Sequence, residues 1–460
     1  MEPRSTNAQG LVGVPVCAMS FLREHPELVK DGLVARNRDP EEVDRLLALD
    51  ARWKEIDQRI NRLRAQRNSA ARRGADRPTA AEGASDDTFA ALREEIRELE
   101  GEARRLEAER AHALLLLPVA PHTSVPRGTT AADNVVLAER RARPEPTFAL
   151  RTHDDIGHAL NLLDEERGAK VAGEGFFVLW GDLARLEHAL IRYMRELHAA
   201  REFVEVVPPI LINSQSMIGT GQLPKFAEDS YQVKLDDLWL APTAEVPVTN
   251  LFRDEILLPD DLPLKLMAYT PCFRREAGGH GVETRGIARV HQFDKVELVV
   301  FSTPEDSYAQ LEALREEAEL VLQGLELPYR IVSLCTGDLP DKAAKCYDLE
   351  LWAPGSRRWL EVSSISNFEA FQSSRANIRW RRSQGVKAEP LHTLNASGVA
   401  LPRLVVSLME NYQTAEGEIE IPKVLRPLMA DQRTLRANPF LGERELARGR
   451  HPKRPSPRNE

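Results

Sequence analysis

Between residues 40 and 117 the apolar positions recur at alternating intervals of three and four. Leu46, Leu49, Trp53, Ile56, Ile60 and Leu63 keep this spacing, and Phe89, Leu92, Ile96, Leu99, Ala103 and Leu106 repeat it. Such a repeat places a narrow apolar seam along one side of a helix, as a coiled coil requires. It predicts two long helices. The segment Gly74–Ser85 between them contains Pro78 and Gly83 and is a poor helix former, so the chain should fold back as an antiparallel hairpin. At about 1.5 Å per residue, an arm of this kind is roughly 50 Å long.

Beyond Leu117 the texture changes. Pro118, Pro121, Pro126, Gly128, Pro144 and Pro146 mark a loop-rich entry. Strand-like runs follow at Phe176–Trp180, Phe203–Val207, Leu264–Tyr269, Val290–Phe301, Tyr329–Ser333, Asp348–Trp352 and Trp359–Ser364. Helical runs fall at Leu183–Arg201, Pro304–Leu325 and Arg403–Thr414. Successive strands without a regular βαβ rhythm predict an α+β domain, an antiparallel sheet flanked by helices rather than a doubly wound parallel sheet. No GxxxxGK[ST] or GxGxxG stretch is present, so neither familiar glycine-rich nucleotide cradle is available.

Composition changes this picture only in part. The 460 residues include 71 acidic and 62 basic side chains, a formal charge of -9, which argues against a wholly basic nucleic-acid-coating protein but not against a local basic patch. Such a patch exists. Between Arg52 and Arg77 nine lysines and arginines face three acids, whereas between Glu82 and Glu109 ten acids face four arginines. Two readings follow: the helices pair across their flanks, or the basic helix meets phosphates. The four cysteines, Cys17, Cys272, Cys335 and Cys346, form no CxxC pair and suggest neither a disulfide framework nor a thiolate zinc site, which favours a reducing compartment. His158, His188, His198 and His392 have no ligand spacing. No apolar run reaches the roughly 18–20 residues that span a bilayer. Residues 11–22 lack the flanks of a signal peptide and read as an N-terminal extension, or as sequence upstream of a start at Met19.

The densest polar cluster within apolar sequence is FRREAGGHGVETRGIARVHQFDKVE, Phe273 to Glu297. It reads as a strand, a glycine-rich turn from Gly278 to Gly281, and a returning strand, with Arg274, Arg275 and Glu276 at the near end. Arginine presents a planar fork to phosphate or carboxylate oxygens and stays charged throughout. A triphosphate gripped and released by this hairpin is one reading; a solvated surface hairpin is the other.

This stretch resembles motif 2 of the class II aminoacyl-tRNA synthetases, and the match is specific to the seryl-tRNA synthetases of the bacterial type. Thr243-Ala244-Glu245-Val246-Pro247 resembles that family's serine-binding segment. His291 to Glu297 resembles the strand after its motif 2 loop, and Glu361-Val362-Ser363-Ser364 resembles its ATP and metal segment. Leu394 to Gly398 with Arg403, and Glu410 to Gln413, resemble motif 3. Ala189 to Pro209 resembles motif 1, through which the family dimerises. The long N-terminal arm is a family hallmark, so the resemblance runs from about Met19 to Met429.

The resemblance implies a helical tRNA-binding arm over 19–125 and a class II catalytic domain over 126–435, with an extension over 1–18 and a disordered tail over 436–460. It implies a serine--tRNA ligase, which joins serine and ATP into seryl-adenylate and passes the seryl group to the 3′ end of tRNA(Ser), and by family also of tRNA(Sec). Serine would meet Thr243, Ala244, Glu245, Arg274, Glu297 and Ser397. ATP would meet Arg274, Arg275, Glu276, Val290, Glu361, Val362, Ser363, Ser364 and Arg403, with Mg²⁺ on Glu361 and Ser364. Arg274, Arg403 and Glu297 would carry catalysis. Arg59, Arg62, Arg64, Arg67, Arg72 and Arg73 would meet the tRNA backbone. A cytoplasmic homodimer is implied as well. A carboxylate is already a nucleophile at neutral pH, which agrees with the lack of any Ser-His-Asp or Cys-His arrangement.

Three positions depart from the family pattern: Val282 where a basic residue is common, Ala396 where glycine is common, and Pro402 before Arg403. Two alternatives stay open on sequence: a synthetase paralogue serving a biosynthetic or resistance pathway, and a catalytically inactive tRNA-binding scaffold. The second predicts substitutions at Arg274, Glu297, Glu361 or Arg403, and those four residues are intact.

Overall fold

The 3–4 seam folds as its spacing demands. The structure, a computed structural model, describes residues 19–75, 86–143, 146–277 and 286–441. Its chain divides into two compact units, residues 16–120 and the remainder, a few residues before the expected boundary at 125/126. In the first unit α1 (Met19–Glu24) and α2 (Pro26–Ala35) lead into α3 (Glu41–Ala75) and α4 (Asp86–Leu116). Pro26 starts α2, where its missing N–H costs nothing. Glu41, Glu42 and Asp44 in the first turn of α3 suit the positive end of the helix dipole.

Along the seam Ile56, Ile60 and Leu106 are buried, with Leu49, Trp53, Leu99 and Ala103 packed against them. The charge inequality between the helices resolves into pairs across the flanks: Arg52–Glu102 at 2.5 Å, Arg59–Glu95 at 2.6 Å and Arg64–Glu100 at 2.8 Å. These are exposed pairs, worth little each, and they set register more than stability. The base of the arm is different. Asp50 is buried and accepts from Arg23 Nε and Nη2, both at 2.7 Å, and from Arg110 Nη1 at 2.8 Å. Arg110 also lies over the Trp53 ring at 4.2 Å.

The second unit is built on an eight-stranded sheet. Its strands are β1 (Val135–Arg140), β2 (Val204–Glu205), β3 (Leu264–Phe273), β4 (Gln292–Ser302), β5 (Tyr329–Ser333), β6 (Lys345–Ala353), β7 (Arg358–Asn367) and β8 (His392–Ala400). They lie in the order β1-β5-β6-β7-β8-β4-β3-β2. Every neighbouring pair is antiparallel except β2 with β3. Helices α5 (Gly181–Ala199), α6 (Ser307–Gly324) and α7 (Leu401–Asn411) supply Leu186, Leu190, Leu314, Leu322, Leu404 and Val405 to a core shared with Val296, Leu298 and Val300 of β4. Side chains alternate along a strand, so Lys295 and Glu297 face the side away from these helices. That side holds the site.

Two strands of this sheet escape the sequence reading, β1 and β8. β8 reads HTLNASGVA, with few of the branched and aromatic residues that mark strands, yet His392–Val399 is buried throughout at the middle of the sheet. The described chain continues past 435. Arg436 donates from its backbone N–H and from Nε to Asp182 Oδ2, at 3.0 and 3.1 Å, and Leu441 is buried. Residues 1–18 and 442–460, the whole glycine-rich turn with Val282, and the side chains of Arg72 and Arg73 lie outside the described residues.

Candidate active site

The β3–β4 hairpin pairs in unbroken register from Leu264 with Phe301 to Phe273 with Gln292. Arg274 follows at its end and is clamped by His291. The Arg274 N–H donates to the His291 carbonyl at 2.9 Å, and His291 Nδ1 lies 3.0 Å from the Arg274 carbonyl. The guanidinium donates from Nε to the Pro242 carbonyl at 3.2 Å and sits 5.2 Å from the Phe293 ring centre.

One strand step inward lies a buried ionic network. Glu297 of β4 pairs in register with Ser397 of β8, and Asn395 of β8 reaches both acids of the site. Asn395 Nδ2 donates to Glu297 Oε1 at 2.7 Å and to Glu245 Oε2 at 3.1 Å. Glu245 opens the short helix Glu245–Asn250, and its Oε1 also accepts from Gln372 Nε2 and Lys342 Nζ, both at 2.6 Å. Lys295 Nζ contacts Glu297, donates to Thr243 Oγ1 at 2.7 Å and reaches Ser397 Oγ at 3.5 Å. Burial pushes the Glu297 carboxyl up, against the opposing pull of Lys295, while the Glu245 charge adds to the rise. The strand feeding Ser397 is bulged between Ser397 and Val399, and Val399 has φ = 140°, a strained value for a branched residue.

Toward the other end stand Arg403, Glu361 and Arg289. Arg403, on the first turn of α7, donates to the carbonyls of Ala288 and Glu361 at 3.0 and 2.9 Å, and its Nη1 lies 3.4 Å from Glu361 Oε2. Arg289 pairs with Glu276 at 2.5 Å. His153 ties this end together: Nδ1 lies 3.2 Å from Glu410 Oε1 of α7, and Nε2 accepts from the Ile287 N–H at 3.4 Å. Nearby, burial drives the Asp348 carboxyl well above its usual range and the Glu361 charge adds to the effect. Glu361 and Ser364 supply two hard oxygens. That set fits Mg²⁺, which takes few protein ligands and completes its shell with water and phosphate.

Most of these residues line one cavity of about 300 Å³. It brings together Thr243, Glu245, Arg274, Glu276, Val290, Glu361, Val362, Ser364, Ser397 and Arg403, all singled out from sequence. Four others are not on its wall. Arg275 instead donates to the Glu228 carbonyl at 3.1 Å, because its place in the chain turns it away from Arg274. Ser363 is buried and donates to the Ser397 carbonyl at 2.5 Å, bracing the floor of the cavity. Ala244 is fully buried. Glu297 lies beneath the surface under Lys295 and Asn395. Sequence reasoning missed Lys295, Asn395 and Lys342. Lys295 had a signal, since it shares a strand face with Glu297 two residues away. Lys342 had none, because only the tertiary fold carries its loop to Glu245.

On the arm, Arg59 and Arg64 are engaged in the cross-helix pairs, Arg62 is exposed, and Arg67 Nη2 donates to Asn68 Oδ1 at 3.3 Å.

A hairpin carrying an arginine at its tip, an antiparallel sheet and a helix closing the far side with another arginine define the class. Residues 230–412 match the class II core domain of tRNA synthetases for Gly, His, Pro, Ser and Thr, and residues 18–121 match the seryl-tRNA synthetase N-terminal domain. The serine--tRNA ligase of Halorubrum lacusprofundi is 49% identical over 93% of this chain and 98% of its own. That of Thermomicrobium roseum is 48% identical over 94% and 97%. The seryl-tRNA synthetase of Pyrococcus horikoshii, solved with ATP, superposes with a TM-score of 0.81 at 36% identity, covering 92% of this chain and 99% of that one. The chain belongs to the seryl-tRNA synthetase family.

Proposed function

We propose that the protein is a serine--tRNA ligase that forms seryl-adenylate from serine and ATP and then charges tRNA(Ser). The observation that carries this reading is the graded cavity. Two carboxylates bridged by Asn395 stand at one end, and Arg274, Arg403 and Glu361 at the other. Serine's α-ammonium meets Glu245 and its hydroxyl meets Ser397 and the Glu297 network. A pocket built around a hydroxyl leaves polar groups unpaired when alanine enters, which is the basis of discrimination. The substrate carboxylate lies against Arg274, which also meets the α-phosphate where negative charge gathers; Arg403 neutralises the phosphates from the far side. No general base is needed, because the attacking oxygen is already ionised, and positioning does most of the work. Mg²⁺ on Glu361 and Ser364 would add charge neutralisation at the phosphates.

The arm (19–125) binds tRNA through Arg62, Arg67, Arg72 and Arg73, with Arg59 and Arg64 joining once phosphates compete with Glu95 and Glu100 for them. Domain 126–435 carries the chemistry. A homodimer forms through α5 and β2; Val204 and Val207 are 56% and 89% exposed there, which supports a covered interface. The unpaired state of the buried Cys272, Cys335 and Cys346 supports a cytoplasmic home, and no helix among the described residues is long and apolar enough to cross a membrane.

The test is ATP–pyrophosphate exchange across a panel of amino acids, followed by charging of tRNA(Ser). Serine-dependent exchange and charging are expected, and deletion of Asp50 to Arg110 should spare exchange while abolishing charging. Absence of serine-dependent exchange refutes the reading. Charging that survives the deletion refutes the role of the arm.

A further inference from the structure

The amino-acid end of the cavity holds more positive charge than a zwitterionic substrate needs. Arg274, Lys295 and Lys342 stand against Glu245 and Glu297. Serine brings one ammonium and one carboxylate and leaves that net charge unchanged, but its ammonium needs the Glu245 carboxylate, where Lys342 already stands; the two lysines differ in their freedom to give way. Lys295 is 4% exposed and holds three partners: Glu297, Thr243 and Ser397. Lys342 sits on the loop between β5 and β6, its side chain 18% exposed. It is held at 2.6 Å by Glu245 Oε1 and rests 4.8 Å from the Phe368 ring centre.

We propose that Lys342 is a displaceable counter-ion of the amino-acid site, occupying Glu245 in the empty enzyme and giving way to the α-ammonium of serine. This rests on the assignment of Glu245 to that ammonium. Glu245 is 2% exposed and would be a costly bare charge in an empty pocket. Lys342 neutralises it there. When serine arrives, the flexible four-carbon stem carries the Lys342 ammonium toward solvent, and Gln372 and Asn395 keep the carboxylate in place. Serine affinity is then set by a competition between two ammonium groups for one carboxylate. A ligand without an ammonium gains nothing from displacing Lys342, so the lysine also sharpens selection for amino acids over their 2-hydroxy analogues.

The experiment compares wild type with K342M, K342Q, K342R and E245Q in ATP–pyrophosphate exchange, with glycerate, the 2-hydroxy analogue of serine, as competitive inhibitor. Removing the competing charge in K342M or K342Q should lower KM for serine about tenfold, leave KM for ATP unchanged and leave glycerate inhibition no tighter. K342R should keep the wild-type KM for serine. An unchanged or raised KM for serine in both neutral variants overturns the proposal, as does glycerate inhibition that tightens in step with serine, since that reports a reshaped pocket. An unchanged KM for serine in E245Q overturns the underlying assignment of Glu245 instead. K342Q keeps the test available should K342M fail to fold.

Discussion

Replacing Lys295 by methionine strips the cation from Glu297, a carboxylate with no solvent exposure. Breaking a buried ion pair from one side costs about 3–5 kcal/mol. Proton uptake caps that cost. From the ordinary glutamate value of 4.5, protonation at pH 7.5 spans three units, or about 4 kcal/mol. The ceiling falls by about 1.4 kcal/mol for each unit of acidification. The sign follows from the direction of the shift. Burial raises the folded-state pKa of Glu297, so K295M is most stable below the ordinary carboxylate range and loses stability as pH rises through the raised value. Thermal unfolding at pH 6 and pH 8 measures the gap in Tm between wild type and K295M. The gap should widen toward pH 8, by at most about 3–5 °C, taking about 1–2 °C per kcal/mol for a unit of this size. In K295M/E297Q that widening should be absent. A gap in K295M that is the same at both pH values refutes the argument that Lys295 favours the ionised form of Glu297.

Two further outcomes follow from strain and from charge elsewhere. D50N should destabilise the arm by about 1–2 kcal/mol in chemical denaturation followed by circular dichroism, after discounting for the partly exposed Arg23 and Lys54. Arg23 hydrogen bonding, with help from Lys54 and Arg110, holds the Asp50 carboxyl down at about 2; its contribution is present above 3.8 and lost as pH falls toward 2, and a D50N penalty that persists at pH 2 would contradict this. V399G should lower stability by about 1–3 kcal/mol, because the fully buried Val399 side chain is worth more in the core than the strain that glycine relieves at φ = 140°, and should weaken rejection of alanine in exchange by loosening Ser397. A Tm no lower than wild type would contradict this.

Much of the site was legible because its residues are local. Arg274, Glu276 and Val290 sit on one hairpin, and Glu361, Val362 and Ser364 on one strand, so contiguous motifs carry them to the cavity together. The arm was legible for a similar reason, since a 3–4 repeat is a one-dimensional property of a helix. The sequence is silent where neighbours in the chain diverge in space. Arg275 adjoins Arg274 yet turns to the Glu228 carbonyl, and Ser363 adjoins Ser364 yet braces the floor of the pocket. The arm arginines, for which composition left helix pairing and phosphate binding both open, stand partly paired with Glu95 and Glu100 of the other helix.

What the sequence determined by itself was therefore the set of local devices: the hairpin arm, the arginine-bearing turn and the strands whose alternation buries one face. The tertiary structure alone decided which charges meet. Asn395 bridging Glu245 and Glu297, and Lys342 reaching Glu245, join residues between 97 and 150 positions apart. Electrostatic pairing in a buried pocket depends on distances of a few ångströms and on the exclusion of water. Neither is encoded by spacing along a strand. β8 shows the same division: its small polar residues are poor strand formers alone, and the sheet around them imposes the conformation that sets Asn395 and Ser397 in the cavity wall.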